Sequence, residues 1–143
     1  MRHSSSGFTL MEMMIVVAII AILGMVTYPS YSEHVAKGYR SEGQAFLNDL
    51  VARQERFFAQ NNTYVTDAAN LADLGVMVTA GVAKSLNGKY QIGVGNIVVL
   101  PNDGGYTMTV APLFGDTKCG NLTLNARGVR NITGTGAVGD CWR

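Results

Sequence analysis

The chain has 143 residues, which is enough for one domain with a long appended element but not for two independent cores. Eleven basic and ten acidic residues leave a formal net charge of +1, so the overall charge gives no sign of a nucleic-acid partner. The longest apolar run lies at the N-terminus, whereas many of the Gly, Asn and Thr residues follow Gln60. This asymmetry predicts an anchored rod followed by a β-rich head.

The N-terminal apolar run has the length of a transmembrane helix. No charged residue lies between Met13 and Ser32, and about 20 residues at roughly 1.5 Å rise each span a hydrocarbon core of about 30 Å. The small residues Ser4 to Ser6 precede this run, which is the wrong side for ordinary signal cleavage. An uncleaved signal anchor is therefore the simplest interpretation. Gly24 and Pro29 both disfavour helix, and we expect a helix break there that can stretch or melt without loss of the rod beyond.

Glu12 lies at the edge of this run. A carboxylate in the middle of a membrane costs roughly 2.5 to 3.5 kcal/mol on insertion scales, and less near the interface. Glu12 must therefore lie at headgroup depth, or be neutralised or paired.

The stretch GFTLMEMMIVVAIIAILGMVTYPSY resembles the N-terminal signature of type IV pilins, in which a short basic leader ends in Gly and a Glu follows at the fifth position after the cut. The resemblance implies that a prepilin peptidase cuts between Gly7 and Phe8 and that Phe8 becomes an N-methylated terminus. It also implies that Glu12 pairs with the terminal amine of a neighbouring subunit and so sets the axial register. This pairing is physically favourable, because the two charges lose their water together.

Residues 30–61 show the period of an amphipathic helix. The residues that recur close to this period are Leu47, Leu50, Val51, Gln54, Phe57 and Phe58, all apolar except Gln54. A helix from Phe8 to about Asn61 would be roughly 80 Å long, so one half must pack on the head and the other half must find protein or lipid elsewhere.

The residues after 61 predict a small antiparallel sheet. Residues 67–74 favour a short helical turn ended by Gly75, and strand patterns cover 89–94 with an extension through 96–100, then 106–111 and 122–125. The sequence NDGG at 102–105 predicts a hairpin between the first two strands. A three- or four-stranded sheet on the helix should bury Phe57, Phe58, Ile92, Met108 and Val110. The predicted fold class is α+β with one very long helix.

Cys119 and Cys141 are the two cysteines. In an exported protein they would form one disulfide, and in the cytosol they would be reduced thiols. The enclosed residues are too rich in Gly, Asn and Thr to order themselves by core burial, and a crosslink would contribute roughly 3 kcal/mol. This stretch resembles the C-terminal loop of pilins, and CGNLTLNARGVR, the final DCW and GYRSEGQAFLNDLVARQERFFAQNNTYV resemble the PilE-type minor pilins. The resemblance thus implies a disulfide between Cys119 and Cys141.

The resemblance also implies a domain organisation and a function. It divides the chain into a cleaved leader (1–7), a transmembrane and fibre-core half-helix (8–29), an amphipathic half-helix (30–61) and a β-sheet head (62–143) with a disulfide loop (119–141). The chain would be a major or minor subunit of a bacterial type IV pilus, with other pilin subunits, the prepilin peptidase, and the assembly platform and ATPase as partners. It would lie in the inner membrane with a periplasmic head before it enters the extracellular fibre. Twitching motility, adhesion and DNA uptake remain open.

Other interpretations stay open beside this one. A type II secretion pseudopilin shares the N-terminal signature, and a signal-anchored periplasmic binding protein would keep its leader. The sequence offers no catalytic constellation, so we expect no enzymatic activity and no cofactor. His3 and His34 form no metal-binding pattern with the cysteines, and the stretch GVGNIV lacks the third glycine of a dinucleotide fingerprint.

Four basic residues lie in or near the predicted disulfide loop. They are Lys118, Arg127, Arg130 and Arg143. They form either a solvated surface or a weak contact with DNA or a host surface.

Overall fold

The structure is a computed structural model that describes residues 7–93 and 95–143, apart from the side chains of 26–30. The predicted leader therefore lies outside the described residues except for Gly7. The chain divides into two units, residues 1–35 and 36–143, which are described separately below.

The first unit consists of the N-terminal part of helix α1, Leu10–Asn61. The apolar side chains of residues 8–25 are exposed; Phe8 and Met25, for example, are 82% and 79% exposed. Among the described residues, no helix is both long and apolar enough to cross a membrane. The described backbone is helical at Gly24 and Pro29, and the expectation that this segment can stretch or melt stays a prediction.

The second unit packs the C-terminal part of α1 against an antiparallel sheet. The helix ends at Asn61, as the sequence predicts, and the chain reverses at Asn62, which has a φ of 55°. A 3₁₀ helix, Ala68–Leu74, follows, with Asp67 as its N-cap and Gly75 in the left-handed conformation at its C-cap. This element confirms the predicted helical turn.

The sheet contains six described strands and is followed by a short helix. The strands are β1 (Ala83–Lys84), β2 (Tyr90–Ile92), β3 (Ile97–Val98), β4 (Thr107–Pro112), β5 (Leu122–Asn125) and β6 (Arg130–Ile132), and helix α2 is Val138–Cys141. The strand order is β1-β2-β4-β5-β6, with all pairs antiparallel. Strand β3 pairs with the N-terminal end of β4, and β2 pairs with its C-terminal end. The α+β class with one very long helix is confirmed.

The predicted first strand is in fact two strands. Its interruption follows Ile92, where the Asn96 side chain accepts a hydrogen bond from the Gly93 backbone N–H at 3.0 Å and Gly95 adopts a φ of 80°. The side chain thus takes a donor that a continuous strand would have used. The predicted hairpin is formed by β3 and β4, with a loop longer than the four residues NDGG.

The core lies between α1 and the sheet. Leu47, Leu50, Ile92, Met108 and Val110 are all fully buried. Phe57 is half-buried against this core, whereas Phe58 is 37% exposed and the prediction that it is buried is wrong. Phe58 lies in the last turns of α1, where the chain that returns from Asn62 brings Tyr64 against one face of its ring, with the centroids 4.4 Å apart.

Candidate functional site

The start of α1 is capped by three reciprocal hydrogen bonds between Thr9 and Glu12. The Thr9 N–H and hydroxyl both donate to Glu12 Oε2 at 2.9 Å, and the Glu12 N–H donates to Thr9 Oγ1 at 3.2 Å. This is a capping box, which satisfies free N–H groups at a helix start. The carboxylate of Glu12 is thus held within its own chain, beside the exposed Phe8.

The predicted disulfide is present and fixes the C-terminal end of the head to α1. Cys119 and Cys141 are bonded, with their Cα atoms 5.7 Å apart, and both are fully buried. The Gln44 side-chain amide on α1 donates to the Cys141 carbonyl at 2.7 Å. The Trp142 indole N–H donates to the Asn131 carbonyl of β6 at 3.1 Å. The crosslink therefore joins the β4–β5 loop to α2, and the two hydrogen bonds tie this end of the chain to α1 and to β6.

A buried ion pair lies next to this crosslink. The Nε and Nη2 atoms of Arg40 each donate to one carboxylate oxygen of Asp116 at 2.7 Å, and the two side chains are 4% and 2% exposed. Asp116 also accepts a hydrogen bond from the Cys119 N–H at 3.1 Å. Burial alone would raise the pKa of Asp116, but the hydrogen bonds from Arg40 and the backbone outweigh it and leave that pKa lowered.

A second carboxylate of α1 holds the loop between β1 and β2. Glu42 accepts hydrogen bonds from the Ser85 hydroxyl, from the Asn87 N–H and side-chain amide, both at 3.0 Å, and from the Lys89 N–H at 3.3 Å. Burial opposes ionisation here, yet these donors leave the pKa of Glu42 lowered. The loop is therefore fixed to the helix by a charged acceptor.

The four basic residues singled out in the sequence do not form one patch. Arg127 donates to the Asn102 carbonyl at 3.0 Å, and the Arg130 guanidinium lies 5.3 Å from the centroid of the Trp142 ring. Lys118 and Arg143 instead line a cavity of about 210 Å³ beside the disulfide. Lys37 and Arg40 of α1 line the same cavity, and the sequence patterns did not single them out.

One signal in the sequence indicates the buried pair. Arg40, Leu47 and Gln54 follow one another at intervals of seven residues and share the inner face of α1, where all three are buried. A charged residue on an apolar stripe requires a buried partner, although nothing local identifies that partner as Asp116. Among the described residues, no group of three or more His, Cys, Asp or Glu side chains is placed to hold a metal ion.

Comparison with known families identifies the chain. A family model described as "Type IV minor pilin ComP, DNA uptake sequence receptor" matches residues 29–123, well over half of the sequence. The chain belongs to this family of type IV minor pilins. A model of the prokaryotic N-terminal methylation motif matches residues 2–28. The predicted membership of the type IV pilins and the resemblance to minor pilins are confirmed, and the family is one of structural pilins rather than enzymes.

Individual relatives of this minor pilin are also pilus proteins. It is 40% identical over 77 residues, 54% of its length, to "Type IV wide pilus major component PilA4" of Thermus thermophilus. It is 31% identical over 99 residues, 69% of its length, to "Fimbrial protein EcpC" of Eikenella corrodens. It is 42% identical over 64 residues, 45% of its length, to "Type IV major pilin protein PilA" of Myxococcus xanthus. The matches span 59%, 57% and 29% of these relatives' own lengths, so each likeness is partial.

Proposed function

We propose that this minor pilin is made as a membrane-anchored prepilin and then becomes a structural subunit of a type IV pilus. Residues 1–7 are the leader, 8–29 serve first as the membrane anchor and then in the fibre core, 30–61 continue the helix, and 62–143 form the head with its 119–141 disulfide loop. The observation that supports this most is the N-terminal methylation motif over residues 2–28, within which the apolar side chains from Phe8 to Met25 are exposed. A subunit with such a surface is incomplete without lipid or other helices around it.

The chemistry at the N-terminus supports assembly by self-association. Cleavage after Gly7 creates a terminal amine at Phe8, and methylation keeps its positive charge. Glu12 lies four residues after Phe8 in the sequence, and its carboxylate can exchange its hydrogen bonds with Thr9 for the amine of a neighbouring subunit. The apolar side chains that leave lipid then bury their surface against one another. Prepilin peptidase, the assembly platform with its ATPase, and other pilin subunits are the partners that this route requires.

Mass spectrometry of the N-terminus tests the proposal. The chain recovered from membranes and from sheared pili should begin at Phe8 and carry one added methyl group. A Gly7→Val variant, which blocks the cut, should stay in the membrane with residues 1–7 attached. An intact leader in the wild type would contradict the proposal and favour a signal-anchored binding protein. A processed chain that never occurs in surface fibres would instead favour a secretion pseudopilin.

Among twitching motility, adhesion and DNA uptake, the family match favours DNA uptake. The matched family model is described as a DNA uptake sequence receptor. Full-length chain in detergent should therefore bind duplex DNA, and one short sequence should bind more tightly than its scrambled version. Deletion of the chain should lower DNA uptake while pili remain on the cell. Equal binding of both duplexes, with normal uptake in the deletion strain, would leave only the structural role.

A further inference from the structure

The β1–β2 loop, residues 85–89, contains the only Asn-Gly sequence in the chain, Asn87–Gly88. Asparagine is a thermolabile residue, because the backbone nitrogen of the following residue can attack its side-chain carbonyl carbon. Glycine at that following position obstructs the attack least, since it has no Cβ. Asn87 is exposed and lines an open groove of about 600 Å³ together with Glu42, so water reaches its side chain. The sequence and the exposure together make Asn87 a chemically plausible position for spontaneous deamidation.

Both groups that must react are held by hydrogen bonds in the folded head. The Asn87 side-chain amide donates to Glu42 Oε2 at 3.0 Å, and the Asn87 N–H donates to Glu42 Oε1, also at 3.0 Å. The Gly88 N–H donates to the Ser85 carbonyl at 2.9 Å. Cyclisation requires the Asn87 side chain to leave Glu42 and the Gly88 nitrogen to leave Ser85 and lose its proton. The folded loop therefore opposes a reaction that its sequence favours.

We propose that Asn87 is a deamidation site whose reaction is restrained by Glu42, and that its conversion releases the β1–β2 loop from α1. The Gly88 nitrogen forms a bond to Asn87 Cγ, the Cγ–Nδ2 bond breaks, and ammonia leaves with the proton that Gly88 gives up. Water then opens the cyclic imide at either carbonyl carbon and yields aspartate or isoaspartate. The net reaction consumes one water and releases one ammonia, and it needs no other reactant.

The product cannot be held by Glu42 in the same way. Deamidation replaces the donor that now lies 3.0 Å from Glu42 Oε2 with a carboxylate, and two like charges at this separation repel each other. In isoaspartate the main chain also runs through the side chain, which displaces the N–H groups of residue 87 and Lys89 that donate to Glu42. A loop that stays open long enough to react therefore does not close again in its original form.

Mass spectrometry of residues 85–89 measures the conversion, because trypsin cuts after Lys84 and Lys89 and releases this segment as one peptide. Full-length chain in detergent is incubated at neutral pH, either folded or unfolded in guanidinium chloride. Digestion in heavy-oxygen water distinguishes conversion during sample preparation from conversion during the incubation. Unfolded wild type should deamidate much faster than folded wild type. Absence of conversion in the unfolded chain, or equal rates in the two states, would overturn the proposal.

A variant of Glu42 tests the restraint itself. Folded Glu42→Gln should deamidate roughly tenfold faster than folded wild type, because it removes the charged acceptor of the Asn87 amide. Asp49→Asn is the matched control, since it removes a carboxylate of the same helix that pairs with Arg53 instead of the loop, and it should keep the wild-type rate. Slow hydrogen exchange in β4 and β5 verifies that both variants are folded. A wild-type rate in folded Glu42→Gln would overturn the role of Glu42.

Hydrogen exchange of the β1–β2 loop tests its release without waiting for the reaction. In Asn87→Asp, which carries the charge of the product, the N–H groups of residue 87 and Lys89 should exchange faster than in wild type, whereas those of β5 should not change. Asn87→Ala removes the side-chain donor without adding charge and should accelerate this exchange less. Wild-type exchange in Asn87→Asp, or equal acceleration in both variants, would overturn release of the loop by charge repulsion.

Discussion

At the scale of single residues, the Arg40–Asp116 pair is an ion pair that lies almost fully buried in the head. Two charges that are almost completely removed from water need partners in the fold, and each supplies the opposite charge for the other. We expect Asp116→Asn to lower the free energy of unfolding by about 3 kcal/mol, since it removes the negative charge that accepts two hydrogen bonds from the buried Arg40 guanidinium. Denaturant unfolding of the full chain in detergent measures this loss. Asp49→Asn is the matched control, because Asp49 pairs with Arg53 at the surface and should cost less than about 1 kcal/mol.

Because of the same ion pair, we expect the stability of the head to depend on pH. The folded state holds the pKa of Asp116 below its ordinary value of 3.8. The ionised carboxylate therefore contributes its full stabilisation above that value and loses it as the pH falls through the lower, folded-state pKa. The stability gap between wild type and Asp116→Asn should be constant near neutrality and narrow below pH 3.8. A gap that widens on acidification would show that the carboxylate is not stabilised in the folded state.

At the scale of elements, we expect alanine substitutions at two glycines of α1 to have opposite effects on the stability of the head. A Cβ at Gly43 would lie 2.6 Å from the Tyr90 ring of β2, whereas a Cβ at Gly38 meets nothing within 4 Å. Gly43→Ala should lower the stability of the head by about 1–3 kcal/mol, because Tyr90 must leave its position in the core. Gly38→Ala should raise stability by up to about 1 kcal/mol through helix propensity. Thermal unfolding of both variants measures the difference. Equal shifts would mean that Tyr90 does not pack over Gly43.

The elements also show what the sequence can and cannot predict. The end of α1 at Asn61 and the bounds of β5 agree with the sequence predictions. Turn-forming residues mark the first and alternating apolar and polar residues mark the second, and both are local signals. The sequence patterns do not predict strands β1 and β6. The first has two residues and the second is mostly exposed, so both depend on a pairing partner rather than on a pattern. The Arg40–Asp116 ion pair could not be predicted from a local pattern either, because the two residues are 76 positions apart in the sequence.

At the scale of the whole molecule, the disulfide joins the last part of the chain to the rest of the head. The crosslink spans a sequence separation of 22 residues, for which the chain-entropy model gives roughly 3 kcal/mol. The double variant Cys119→Ser with Cys141→Ser should therefore unfold at a clearly lower denaturant concentration. Hydrogen exchange at residues 133–143 should accelerate more than in β4 and β5. Wild type treated with reductant is the control and should behave like the variant. An unchanged midpoint would show that hydrogen bonds alone hold this segment.

Assembly of the whole molecule should depend on the charge of Glu12. In the structure the Glu12 carboxylate closes the capping box with Thr9, and a glutamine oxygen can accept the same hydrogen bonds. Glu12→Gln should therefore reach the membrane at the wild-type level. It should lower incorporation into sheared pili by more than about tenfold, which corresponds to the loss of about 1.4 kcal/mol, because the amine of the neighbouring Phe8 then enters the fibre without a counter-charge.

Quantitative immunoblots of membranes and sheared fibres, with Asp73→Asn as a control that removes a head carboxylate, separate this effect from a general loss of charge. Wild-type incorporation of Glu12→Gln would rule out pairing with the amine. Equal losses in both variants would show that assembly responds to net charge rather than to this position. A loss of incorporation in Glu12→Gln alone would mean that the Glu12 carboxylate has two roles. It caps its own helix in the free chain, and in the fibre it selects a neighbouring subunit at the correct axial position.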